Sequence, residues 1–340
     1  MAEGNDSHHI VAIEAVHCPI PTFDLPCPYT IDTYDWTPQS ELAGRIKDAT
    51  IILTTTIRLS ADVLRPSVSP KLQLIVIMAS GTDCVDKVAC KGRGITICNC
   101  PGTNVDSVSE HVIGSYFATR RKLVELHNST VAIPADPALD TEWKTNGSLR
   151  PRLRMSDGKA PLLCCQETLG VLGYGLLGQR VETLARSLGM KVIVSDHKGI
   201  IPRAGRVSFE AFLKESTVLV LCLPRSPETI NLISTAEFRK MSSQAVLINV
   251  SRGGIVNEHA LLEAVQNGLI SGAAMDVFAN EPVGRGGSPL ISPETAASCL
   301  NLLLTPHLAW YADATLQNLQ NAVKNTVETW VRGTTINQIL

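Results

Sequence analysis

The stretch Thr168-Leu169-Gly170-Val171-Leu172-Gly173-Tyr174-Gly175-Leu176-Leu177-Gly178 runs into a helical pattern and then into Met190-Lys191-Val192-Ile193-Val194-Ser195-Asp196. It reads as strand, glycine turn, helix, second strand and acid. Gly173, Gly175 and Gly178 have the G-x-G-x-x-G spacing, and Asp196 ends the second apolar run 18 residues after Gly178. The spacing alone is often just a glycine-rich turn. A strand before it, a helix after it and an acid beyond make it a dinucleotide-binding βαβ unit. Gly173 permits the tight turn, Gly175 leaves room for a pyrophosphate, and Gly178 lets helix and strand pack closely. Amides at the helix start then face the phosphates.

A chain of 340 residues is long for one core and suits two domains, and two lobes imply a cleft. Net charge is −2 with acids and bases interspersed, which provides neither a basic footprint for nucleic acid nor a polybasic membrane patch. Small ligands are the expected partners. Ten cysteines (Cys18, Cys27, Cys84, Cys90, Cys98, Cys100, Cys164, Cys165, Cys222 and Cys299) are scattered without a C-x-x-C, most of them in apolar runs. That pattern reads as reduced, buried thiols in an intracellular protein, and neither ligand spacing nor a His cluster suggests a metal site. The polar start Met1-Ala2-Glu3-Gly4-Asn5-Asp6-Ser7 lacks a basic or apolar leader pattern, and no apolar run reaches membrane-spanning length. A cytoplasmic location is the expectation.

Taken in order, the apolar periodicity predicts strands at 9–16, 49–53 and 72–79, with helices at 40–47 and 60–64. A small-residue turn, Ala79-Ser80-Gly81-Thr82-Asp83, follows, and Asp83 is placed to cap a helix running to about Lys91. A long helix is expected from about Ser107 to Leu126. Residues 131–166 hold several Pro and Gly with little periodicity and read as a surface excursion or contact arm. Beyond the glycine motif come strands at 217–223, 245–250, 272–277 and 302–304. A helix over 257–267 has Asn257 as its N-cap and Gly268 past its end, and a last amphipathic helix spans 312–331. The alternation of strand and helix means parallel sheets wrapped by helices.

Three polar residues stand where strands of the second lobe should end: Arg252 in Asn249-Val250-Ser251-Arg252-Gly253-Gly254, Glu281 before Pro282, and His307 after Pro306. Singly, each has a bland reading as an ion-pair partner, a turn or a structural histidine. Together they fit hydride chemistry, which needs a proton donor for the reduced carbonyl, a cation to hold and polarise the substrate, and a group to tune the acid. His307, Arg252 and Glu281 supply those roles in that order.

These motifs, with Leu188-Gly189-Met190-Lys191-Val192, Cys222-Leu223-Pro224, Asp276-Val277-Phe278 and Pro306-His307, resemble the D-isomer-specific 2-hydroxyacid dehydrogenase family over nearly the whole chain. The ending, through His307-Leu308-Ala309-Trp310 and Asn325-Thr326-Val327-Glu328, is similar to its glycerate dehydrogenase or hydroxypyruvate reductase branch. The resemblance implies an α/β fold of two doubly wound parallel-sheet lobes. Residues 1–105 and 308–340 would form a flavodoxin-like discontinuous substrate domain, and 106–307 a Rossmann NAD-binding domain. It implies that His307 is the general acid, that Glu281 hydrogen-bonds it, and that Arg252 binds the keto-acid carboxylate and carbonyl. A carboxylate beside an imidazole favours the charged form. The amides of Ser80 and Gly81 would hold the substrate carboxylate. Along with Gly173, Gly175 and Gly178, the amides of Leu176 and Leu177 would meet pyrophosphate. Cys222, Leu223, Pro224 and Thr229 would line the adenosine side, with Val250 contributing backbone. Asp276 would reach the nicotinamide amide, and Asp196 would accept from the ribose 2′-hydroxyl and favour NAD over NADP.

The expected activity is NADH-dependent reduction of a small 2-keto acid such as hydroxypyruvate or glyoxylate to the D-2-hydroxy acid, by a homodimer. Trp310 could limit space beyond the keto carbon, or its indole could simply pack. Two alternatives stay open: an NAD-sensing co-repressor-like binding protein of the same fold, and a dehydrogenase for bulkier 2-keto acids.

Overall fold

Short runs of branched aliphatic residues become the parallel strands of two separate sheets. The computed structural model describes residues 7–298 and 300–340; the polar start 1–6 and Cys299 lie outside the described residues. The chain divides into two units, one comprising residues up to Asn104 with Tyr311–Leu340, the other Val105–Trp310.

The first unit contains β1 (His8–Ala12), β2 (Tyr29–Thr33), α1 (Gln39–Ile46), β3 (Ile51–Thr54), β4 (Leu74–Ile77), α2 (Lys87–Arg93) and β5 (Thr96–Asn99). All pairings are parallel, in the order β2-β1-β3-β4-β5. This is the flavodoxin-like order, with its topological switch point between β1 and β3. Val11, Ile52, Ile75 and Ile97 are fully buried in one core, with Leu42 and Ile46 of α1 packed among them.

Sequence and structure differ here in three places. The expected helix at 60–64 is a run of turns. Asp86, not Asp83, caps α2, accepting from the Ala89 amide at 2.9 Å. β2 falls in a stretch whose exposed residues give no periodicity, because it is a sheet edge.

The second unit carries α3 (Val105–Arg120), α4 (Leu123–Val131), α5 (Glu142–Asn146), β6 (Thr168–Leu172), α6 (Leu176–Ser187), β7 (Lys191–Ser195), α7 (Phe209–Glu215), β8 (Val218–Leu221), α8 (Thr235–Phe238), β9 (Val246–Asn249), α9 (Glu258–Gln266), β10 (Gly272–Met275), α10 (Pro293–Ala297) and β11 (Leu302–Leu304). The chain then returns to the first unit as α11 (Asp313–Val331). One long helix was expected over 107–126, but the chain breaks at Lys122, which has φ +46°, and restarts as α4. Residues 131–166 hold α5 and two short 3₁₀ turns.

The second sheet is parallel with order β11-β10-β9-β8-β6-β7. Alternate strand residues enter opposite cores, Leu219, Leu221 and Leu247 on one face and Val218, Val220 and Ile248 on the other. Both faces are therefore covered, which is why these strands are unbroken apolar runs rather than alternating ones. Among the described residues no helix is long and apolar enough to cross a membrane.

Candidate active site

The chain leaves β6 for β7 on one side and returns to β8 on the other, so the switch point of the second sheet lies between β6 and β8. The glycine motif sits there. Gly173 has φ +95°, and a Cβ on it would come within 2.5 Å of the Cys222 carbonyl oxygen, so the turns after β6 and β8 touch backbone to backbone. A Cβ on Gly178 would lie 2.3 Å from the Gly173 oxygen, which seats α6 close against the turn. Gly175, the N-cap of α6, faces open space. An uncrowded helix start at a switch point fits a dinucleotide pyrophosphate, with Leu176 and Leu177 providing first-turn amides.

Thr229 knits the segment after β8. Its hydroxyl donates to the Pro224 carbonyl at 3.0 Å and accepts from the Ser226 amide at 2.7 Å, while Leu223 is buried. At the end of β7, Asp196 is buried and already held. The Arg203 guanidinium meets it through Nε at 3.0 Å and Nη2 at 2.5 Å, and the Arg203 amide adds a third bond at 2.8 Å. Chiefly through the Arg203 side chain, the carboxyl stays well below the usual carboxylate range. Nothing in the spacing singled out Arg203.

Strand β9 ends at Asn249, a fully buried amide that shapes the next turn. Its oxygen accepts from the Ser251 amide at 3.1 Å and its nitrogen donates to the Arg252 carbonyl at 3.0 Å. Val250 and Ser251 are buried, whereas Arg252 is half-buried and its Nη1 donates to the Ser251 carbonyl at 2.7 Å. Gly253 allows the decisive approach, since a Cβ there would stand 1.6 Å from the Phe278 oxygen. Only glycine lets the turn bearing Arg252 lie on the segment bearing Glu281.

Glu281 accepts from the Phe278 amide at 2.7 Å through Oε1 and meets His307 Nδ1 at 2.6 Å through Oε2. Burial tends to raise its pKa, but the His307 bond, the Phe278 amide and the nearby Arg252 charge together lower it. All three polar residues thus converge within the second unit.

Asp276, at the end of β10, turns both carboxylate oxygens onto the segment around His307. Oδ1 accepts from Thr305 Oγ1 at 2.6 Å and the Leu308 amide at 3.1 Å, and Oδ2 from the Ala309 amide at 3.0 Å. With 1% of its side chain exposed, it braces the segment that carries His307. Trp310 is half-buried against the core, and its Nε1 donates to the His307 carbonyl at 2.9 Å.

In the first unit, Ser80 and Gly81 follow the carboxyl end of β4. Ser80 Oγ lies 3.3 Å from the Cys100 carbonyl, and Asn99 Nδ2 donates to the Ser80 carbonyl at 2.8 Å, bracing the turn. Among the described residues, no three His, Cys, Asp or Glu side chains gather where a metal could be held.

Residues 154–309 match the D-isomer specific 2-hydroxyacid dehydrogenase NAD binding domain. The chain is 35% identical to a glycerate dehydrogenase of Methylorubrum extorquens over 94% of both proteins. It is 27% identical to a hydroxypyruvate reductase of Blautia hydrogenotrophica over 91% of this chain and 90% of that one. Among solved structures, a D-lactate dehydrogenase from Aquifex aeolicus complexed with NAD and lactic acid has a TM-score of 0.72 at 27% identity, covering 89% of each chain. A glyoxylate reductase from Paecilomyes thermophila shares the fold with a TM-score of 0.76 at 20% identity, over 98% of each chain. On this sequence identity, and with an NAD-binding domain at its centre, the chain belongs to the D-isomer specific 2-hydroxyacid dehydrogenase family, in its glycerate dehydrogenase and hydroxypyruvate reductase branch.

Proposed function

We propose that this enzyme reduces a small 2-keto acid, of the hydroxypyruvate or glyoxylate kind, to the D-2-hydroxy acid. The observation that carries the reading is the 2.6 Å contact between His307 Nδ1 and Glu281, with the Arg252 charge acting on the same carboxylate. NADH, when bound, supplies the hydride. Glu281 holds the proton on Nδ1, which leaves Nε2–H of the imidazolium to protonate the carbonyl oxygen. Arg252 polarises that carbonyl and, with its planar fork, holds the substrate carboxylate. Relatives named glycerate dehydrogenase and hydroxypyruvate reductase support the small-substrate reading.

Steady-state kcat/KM for glyoxylate, hydroxypyruvate, pyruvate and phenylpyruvate tests it. Glyoxylate and hydroxypyruvate should lead, and His307→Ala and Arg252→Ala should each remove about 10²–10⁴-fold while NADH still binds. Near wild-type kcat/KM in either folded variant would overturn the role given to that residue.

Two further parts of the reading concern assembly and location. A homodimer is supported by the apolar side chains displayed on α4 and beyond, where Leu123, Val124, Val131, Ile133, Leu139 and Trp143 are all exposed. Sedimentation of Val124→Asp and Trp143→Ser should show monomer where the parent sediments as a dimer. A cytoplasmic location is supported by free thiols, among which burial pushes Cys90 and Cys98 up to about 11.

A further inference from the structure

His307 has φ +55°, in the left-handed region that an L-residue with a bulky side chain adopts only when its surroundings hold it there. Two anchors do so. On one side Asp276 pins the amides of Leu308 and Ala309 at 3.1 and 3.0 Å. On the other, the indole Nε1–H of Trp310 donates to the His307 carbonyl at 2.9 Å. The indole is itself fixed, since it packs against the core with Val108 and Val112, and the Trp310 carbonyl accepts from Ser107 Oγ of α3 at 3.0 Å. An indole has a single donor, and here it is spent on the backbone of the residue three positions earlier.

We propose that Trp310 is a positioning residue for the reaction. Its hydrogen bond sets the backbone rotation of His307, and through it the direction in which the imidazole presents Nδ1 to Glu281 and Nε2 to the substrate. The inference rests on the reading of His307 as proton donor. It differs from the view of Trp310 as a wall that limits substrate size: a positioning residue acts on every substrate alike, because it acts through the acid.

Trp310→Phe separates the possibilities, as it keeps an aromatic ring against the core and deletes the donor. We expect kcat for hydroxypyruvate and phenylpyruvate to fall together by about 10–100-fold, with KM and the dissociation constant for NADH within about twofold of the parent. A second readout needs no turnover. The low-field proton NMR signal of His307 Nδ1–H, assigned by its loss in His307→Ala and Glu281→Gln, should weaken or vanish in Trp310→Phe. Should Trp310→Phe keep both parental kcat and this signal, the indole only packs and the proposal fails; a changed ratio between the two substrates with the signal intact would make it a pocket wall and also sink the proposal. If His307→Ala stays active, the proton-donor reading fails, and the NMR signal still reports whether Trp310 orients the ring.

Discussion

Arg203 grips Asp196 with two nitrogens of its guanidinium, at 3.0 and 2.5 Å, leaving 1% of the aspartate side chain exposed while Arg203 itself is 65% exposed. The acid at the end of β7 therefore does not stand alone. A 2′-hydroxyl approaching it meets a carboxylate already neutralised by a cation, and a 2′-phosphate would meet the cation.

Cofactor choice should consequently respond to both residues in opposite directions. The parent should favour NADH, Arg203→Ala should sharpen that preference by uncovering the carboxylate, and Asp196→Asn should shift the NADPH to NADH ratio of kcat/KM upward by about tenfold or more, the worth of a charged hydrogen bond. Titration with 2′,5′-ADP gives an independent binding readout. Equal ratios in all three proteins would detach this pair from cofactor selection.

The Glu281 carboxyl is stabilised in its ionised form by the fold, so the sign of its pH effect is determined. A carboxylate whose pKa is lowered on folding contributes fully above its ordinary range and loses that contribution as pH falls through the folded value. The His307–Glu281 pair should thus be intact at neutral and mildly acidic pH. In Glu281→Gln the ring loses that charged partner, and the rate of reduction should fall by about 10-fold or more across this range. Rate profiles from pH 5 to 9 measure this; superimposable profiles would contradict it.

Much of this was readable along the chain, and the limits have a physical origin. The glycine turn, the strand ends carrying Arg252, Glu281 and His307, and the Asn257 cap are local features in which residue type and backbone need coincide. Asn257 caps α9 as expected, accepting from the Ala260 amide at 2.9 Å. The misses are non-local. The amides that Asp276 holds lie 32 and 33 residues away, a tie that no local pattern announces, and β2 shows no periodicity because its edge position leaves it exposed. Spacing alone does not place α11 with the first unit either; that depends on contacts such as the Asp24 amide donating to Glu328 at 2.7 Å, 304 residues away.

Gly253 should be the least replaceable residue of the Arg252 turn. A methyl group 1.6 Å from the Phe278 oxygen must push the two segments apart, carrying Arg252 away from Glu281. Gly253→Ala is expected to cost about 1–3 kcal/mol of stability and to lower kcat/KM by roughly 10²-fold. Gly175→Ala, where a Cβ meets nothing within 4 Å, should leave stability nearly unchanged while weakening NADH binding. Thermal melts with cofactor titrations separate the two, and a fully active Gly253→Ala would refute the close-approach argument.

The switch point of the first sheet is filled by the protein itself. Glu14, fully buried beyond the end of β1, accepts from the amides of Thr55, Thr56 and Ile57 at 3.0, 2.6 and 3.0 Å beyond the end of β3, and His17 Nε2 lies 3.0 Å away. Burial works against its charge, yet the His17 and Thr56 bonds and the backbone amides outweigh it and hold the pKa at about 2 against an ordinary 4.5. That difference is worth on the order of 3 kcal/mol of stability, present above pH 4.5 and lost as pH falls towards 2. Glu14→Gln should therefore destabilise the first unit by about that amount at pH 7, with the gap from the parent narrowing under acid, as the carboxyl of the parent's unfolded chain takes up its proton. Guanidinium unfolding at pH 7 and pH 3, read together with hydrogen exchange of peptides spanning residues 51–58, measures it. Faster exchange at Thr55, Thr56 and Ile57 at pH 7 is the specific expectation, and a pH-independent gap between the two proteins would show that Glu14 contributes through packing rather than through its charge.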